Sequence, residues 1–175
     1  MLLNSHTSAA PGGFARWPAA ARVVCCAALA GTVAFIFSNS LAVADASNQA
    51  SGGVQQLLYA LFDRCGVPAL KEWFTMHRIR KLAHFAEYAL LGFWWPLCLR
   101  AHGRRPLPAA GWPVLACLLT ALTDETLQLF STGRSGQVSD VWLDFAGALT
   151  GFGCGLLALW LGAVLFTRLR SHKKE

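Results

Sequence analysis

Four long, mostly apolar runs, over residues 23–44, 82–99, 112–130 and 141–166, leave this chain very few folds. About 20 such residues in a helix are enough to cross the ~30 Å hydrocarbon core of a bilayer. Inside that core backbone N–H and C=O groups find no water, so each segment must satisfy its own, which a lone helix does and a lone strand does not. The runs therefore predict an all-α fold, an integral membrane bundle of four transmembrane helices. Composition agrees: 55% of the 175 residues are hydrophobic and 14% are charged, too apolar for an ordinary soluble domain. A net charge of +6 raises the question of nucleic acid. The basic residues, however, sit at the ends of apolar runs with no aromatic platform among them, so nucleic acid is excluded as a partner and membrane lipid is expected instead.

Residues 1–18 are rich in Ala, Gly, Pro and Ser without an apolar period and read as a disordered cytoplasmic tail. Residues 19–167 are the four-helix transmembrane domain, and residues 168–175 a basic cytoplasmic tail. Ala42-Val43-Ala44 resembles the cleavage site of a secretory signal, but the leader would exceed the usual ~15–30 residues, which favours an uncleaved first span. In the polar interval 45–80, Val54, Leu57, Leu58, Leu61, Phe62 and Cys65 recur at the spacing of an amphipathic helix, so a short helical loop is expected between spans 1 and 2. Gly66-Val67-Pro68 ends it, and Trp73 and Phe74 in the following segment suit a membrane interface. The loop reads equally as a surface helix or as a cap on the bundle.

Orientation follows from Lys and Arg. With the N-terminus inside, nine lie on the inner side, and six (Arg64, Lys71, Arg78, Arg80, Lys81 and Arg134) on the outer side. The positive-inside rule then places both termini in the cytoplasm of a multi-pass inner (cytoplasmic) membrane protein. The six cysteines include no Cys-x-x-Cys pair and no Cys/His zinc spacing. They read as small apolar residues, and no metal and no cofactor is expected, since the one other metal-capable set, His84 with the carboxylates, is a single histidine without a ligand spacing.

Ionisable residues interrupt the apolar runs in three places: at the start of the second span, the end of the third and the start of the fourth. Alternating spans put those three ends on one membrane face whichever way the chain inserts. Lys81, His84 and Tyr88 share one helical face with Glu87 beside it; Thr120, Asp124 and Gln128 form a row on the third span, with Glu125 about a quarter-turn away. Charges at such depth cost roughly 2.5–3.5 kcal/mol each, so they should turn inward and pair or line a wet cavity. On the fourth span Asp140 and Asp144 continue into Gly147, Gly151 and Gly155, a stripe that lets a neighbouring helix approach closely. Lying under acids that must also face protein, the stripe reads as packing within one chain rather than a homodimer seam, and the oligomeric state stays open.

The ordered set Arg80-Lys81-Leu82-Ala83-His84-Phe85-Ala86-Glu87-Tyr88, Thr123-Asp124-Glu125-Thr126-Leu127-Gln128-Leu129-Phe130, Gly133-Arg134 and Ser139-Asp140-Val141-Trp142-Leu143-Asp144-Phe145-Ala146-Gly147 resembles the successive motifs of the VanZ-like membrane proteins. Phe37-Ser38-Asn39-Ser40 is similar to a weaker feature of that family. The resemblance implies a small four-span helical protein of the cell envelope. The family's namesake is linked to resistance against teicoplanin, a lipoglycopeptide antibiotic acting at the outer membrane face. No established reaction and no catalytic residue come with the resemblance.

Three classes of function fit the residues. In the first, an outer-leaflet cavity binds an anionic lipid or a lipid-linked envelope intermediate, with Lys81 and Arg134 on the phosphate and Arg80, Tyr88, Gln128, Asp140 and Asp144 completing the binding site. In the second, the same cavity is catalytic, with His84 as general acid/base and Asp124 and Glu87 tuning and orienting it, although no convincing nucleophile accompanies them. In the third, the charges form an ion relay or hold the bundle together, Asp124 with Arg134 being one such pair. The basic residues facing buried acids favour the first.

Overall fold

Residues 14–41, 44–131 and 136–172 are described by the structure, a computed structural model. They form five α-helices: α1 (Ala19–Leu41), α2 (Ala44–Arg64), α3 (Met76–Ala101), α4 (Gly111–Gln128) and α5 (Val138–His172), with a 3-10 turn at Pro68–Glu72. No strand occurs among the described residues, as expected for an all-α chain. Two segments, Ala19–Leu41 and Val138–Ser171, are long and apolar enough to cross a membrane by length and composition. Of the three helices that carry the polar motifs, α5 reaches that standard and α3 and α4 do not.

Helix ends differ from the expected ones for local reasons. Thr75, in an extended conformation, accepts a hydrogen bond from the Arg78 N–H and caps α3, so the helix starts at Met76 and Arg78, Arg80 and Lys81 all lie on it rather than ahead of it. The amphipathic helix α2 starts at Ala44, well before Val54. It stops where Gly66 takes φ +71° and the Val67 N–H returns to the Phe62 carbonyl at 2.9 Å. Phe62 is buried on Phe74, ring centroids 5.2 Å apart, while Leu57 and Leu61 stay exposed. α5 runs through the expected basic tail as far as His172, so its 35 residues extend about 52 Å and project beyond a ~30 Å hydrocarbon core.

Four helices close a ring. α3 packs on α5, the most extensive contact of the four; α5 also packs on α4, α4 on α1 and α1 on α3, which leaves the sequence neighbours α3 and α4 on a diagonal. The core inside the ring is Ile36, Tyr88, Leu91, Cys117, Ala121, Val141 and Ala148, with at least one residue from each of the four helices. Every ring helix also turns large apolar side chains outward, among them Phe35, Leu82, Leu90, Leu119, Leu122, Trp142 and Leu157. A soluble monomer rarely leaves so much apolar surface uncovered.

The α3–α5 contact is made of backbone. A methyl at Gly147 would lie 2.5 Å from the Phe85 carbonyl oxygen, and one at Gly155 2.7 Å from that of Phe93. Gly151 faces the Ala89 carbonyl more tightly still, and Gly92 of α3 meets the Ala148 carbonyl in return. The glycine stripe is thus spent on packing within the chain. At the far end of α3 the last residues of the expected N-terminal tail are pinned down: the Phe14 and Trp17 N–H groups donate to the Gly103 and Ala101 carbonyls at 3.0 and 2.9 Å, and Arg100 lies over the Phe14 ring.

Candidate functional site

The C-terminal end of α1, the first half of α3, the end of α4 and the start of α5 meet at one end of the ring, and the polar motifs meet there with them. Lys81 Nζ donates to Asp140 Oδ1 at 2.9 Å, joining α3 to α5. On α4, Asp124, Glu125 and Gln128 are buried together. Gln128 Nε2 donates to Glu125 Oε1 at 3.0 Å and to Asp124 Oδ2 at 3.4 Å. The main-chain N–H of Gln137, just ahead of α5, donates to Glu125 Oε2 at 2.8 Å.

α1 contributes more than the sequence reading assigned to it. The Ser40 hydroxyl donates to Asp124 Oδ1, and Asn39 Nδ2 donates to Glu87 Oε1 at 2.8 Å. Ser131, just past α4, closes the same corner by donating to the Ser40 carbonyl at 2.9 Å. The donors on these carboxylates thus include neutral hydroxyl, amide and peptide groups from α1, α4 and the chain leading into α5, the kind of satisfaction that buried polar groups require.

His84, Asp124 and Asp144 place one donor atom each within 4.8 Å of one another, and Asp124 and Asp144 are fully buried. Neither oxygen of Asp144 has a hydrogen-bond partner among the described residues, nor has the hydroxyl of the fully buried Tyr88. Of the anticipated site residues, then, Lys81, His84, Glu87, Asp124, Gln128, Asp140 and Asp144 are tied into this end of the ring, and Tyr88 fills its core. Arg80 is half-buried and forms no ion pair among the described residues. Arg134 lies outside the described residues.

Beside the cluster, between the 3-10 turn and the start of α3, a cavity of about 380 Å³ is walled by Trp73, Phe74, Leu82, Phe85 and Leu143, with Arg78 and Lys81 completing its lining. Arg78 is partly engaged, its Nη1 donating to the Trp73 carbonyl at 2.9 Å and its guanidinium lying over the Trp73 ring.

At the other end of the ring two of the cysteines, expected to be small apolar residues, lie beside each other and a histidine. Cys26 Sγ lies 3.5 Å from Cys98 Sγ and 4.0 Å from His102 Nε2, a second group of three metal-capable donors. Nothing in the spacing foretold it, because Cys26 is on α1 and its partners on α3. Asn39 and Ser40 had a usable signal: polar residues ending an apolar run, the same mark as the other motifs. The Gln137 N–H had none.

A family model, that of VanZ/LLP1, matches residues 25–161, from within α1 to within α5. The chain belongs to the VanZ/LLP1 family. No curated protein and no solved structure matches it. The match agrees with the resemblance read from the motifs, and with its two helices of spanning length this VanZ/LLP1 chain is a membrane protein. Every residue of the polar cluster and of the adjoining cavity falls inside the matched region.

Proposed function

We propose that this VanZ/LLP1 protein crosses the inner membrane four times and holds an anionic lipid, or a lipid-linked envelope intermediate, in a cavity opening at the outer leaflet. The observation that carries the reading is the cavity itself. Its volume, about 380 Å³, lies in the ~300–1,000 Å³ range of ligand sites; its walls are almost wholly apolar, as an acyl chain requires, and Arg78 and Lys81, engaged with Trp73 and Asp140, border it where a phosphate would have to draw them away. Four spans are supported by the outward Leu82 and Leu90 of α3 and Leu115, Leu119 and Leu122 of α4, which would face lipid. The outer location rests on the Lys and Arg count. A role in glycopeptide resistance agrees with family membership and with a ligand drawn from the envelope.

The catalytic alternative gains the closeness of His84 to Asp124, but Ser139 is turned to Gln137 Oε1 and Asp140 Oδ1 and does not belong to that group. Native mass spectrometry on protein in nanodiscs tests the binding reading. Anionic phospholipid should be retained in preference to zwitterionic lipid, and Arg78→Ala with Lys81→Ala should abolish the preference while the fold survives. Equal retention of both lipid classes by the unaltered protein would sink the proposal.

A further inference from the structure

Three side chains on three different helices, His84 on α3, Asp124 on α4 and Asp144 on α5, bring donor atoms within 4.8 Å of one another. Asp144 is the informative member. It is fully buried, and neither carboxylate oxygen has a hydrogen-bond partner among the described residues, whereas buried carboxylates ordinarily take several donors. The Lys81 ammonium on the same helix pair is already engaged with Asp140. We propose that His84, Asp124 and Asp144 bind a divalent first-row cation, Zn²⁺ or Mn²⁺, at the polar end of the ring.

Four physical grounds support this. Two carboxylates balance one dication, so the occupied cluster is neutral where a net charge would be costly. One imidazole with two carboxylates is a mixed donor set, imidazole suiting Zn²⁺ and carboxylate suiting Mn²⁺. Ligands bound at about 2.0–2.2 Å in a tetrahedral set stand roughly 3.3–3.6 Å apart, so donor atoms that lie within 4.8 Å of one another reach one ion by closing about 1 Å through side-chain rotation. Finally, Asp124 is oriented by the Ser40 hydroxyl and the Gln128 amide, and outer hydrogen bonds of this kind hold a coordinating carboxylate in place. Three protein ligands leave coordination positions open to water or to an oxygen of a bound molecule. The proposal is independent of the lipid reading, because occupancy is measured with no lipid ligand present.

The full chain, purified in detergent through a tag without histidines, would be stripped with EDTA, equilibrated with ZnCl₂ or MnCl₂ and desalted. Metal per chain and unfolding temperature are then measured. One Zn²⁺ or Mn²⁺ per chain is expected, together with a higher unfolding temperature in its presence. Asp144→Asn and His84→Gln should each weaken binding at least about tenfold and remove the metal-dependent shift. A Cys26→Ser, Cys98→Ala double variant should keep both, which separates this site from the cysteine cluster. Metal retained by Asp144→Asn, or lost with the cysteines, overturns the assignment. Should either ligand variant fail to fold, the unaltered chain decides alone: an unfolding temperature indifferent to both ions and to EDTA refutes it.

Discussion

Gly151→Ala tests the backbone contact that holds α3 to α5. Cβ atoms do not approach other heavy atoms closer than 3.0 Å, yet a methyl at Gly151 would fall inside the shell of the Ala89 carbonyl oxygen, nearer than the 2.5 Å found at Gly147. The obstacle is main chain, which cannot swing aside as the tip of a long side chain can. The two helices must therefore part by about 1 Å, which forfeits a good share of the dispersion energy along the seam. Overpacking a dense interior costs about 1–3 kcal/mol, and a clash with backbone belongs at the upper end. Gly153, two residues along the same helix, has nothing within 4 Å of the equivalent methyl, so Gly153→Ala should stay within about 0.5 kcal/mol of the unaltered protein. Unfolding of the two variants in detergent, followed by tryptophan fluorescence, gives the comparison. Equal stability of Gly151→Ala and the unaltered chain, or an equal fall in Gly153→Ala, refutes the seam. Loss of a dimer without loss of monomer stability would instead assign the stripe to contact between copies.

Other expectations concern the polar end and the topology. Ser40→Ala removes a donor from the fully buried Asp124 and should cost about 1–3 kcal/mol in the same unfolding assay; a value indistinguishable from zero would mean that α1 is not anchored there. Lys81→Ala should cost no more than about 1 kcal/mol of stability, because the Lys81–Asp140 pair keeps side-chain exposures of 35% and 26%. Retention of anionic lipid should nevertheless fall, and stability and retention declining in step would point to a purely structural lysine. Cys65, exposed just beyond α2, should react with an impermeant thiol reagent added outside intact cells; protection there with labelling from the inside would invert the proposed topology.

Much of this could be read from the chain because apolar period and length are local properties. The runs at 23–44, 82–99, 112–130 and 141–166 became the helices of the ring, and the spacing of Gly147, Gly151 and Gly155 marked a face that has to meet another helix. The convergence of Lys81, His84, Glu87, Asp124, Gln128, Asp140 and Asp144 followed from counting helix ends. Helix limits were less legible: Thr75 starts α3 ahead of the apolar run through a single side-chain hydrogen bond, which hydropathy does not register.

Tertiary structure alone decided which faces meet. Periodicity specifies a helix's apolar stripe but not its order around a ring, so nothing in the chain put α3 and α4 on a diagonal or brought Cys26 to Cys98 and His102. It equally did not say which carboxylates Ser40 and Asn39 would reach, or that Asp144 would stand buried without a donor among the described residues. Those outcomes depend on the rotation of each helix about its own axis. For α3 and α5 that rotation is set where their backbones approach most closely, at Gly92 and the Gly147–Gly151–Gly155 stripe, and for α1 and α4 by side-chain packing, in each case through residues far apart in sequence.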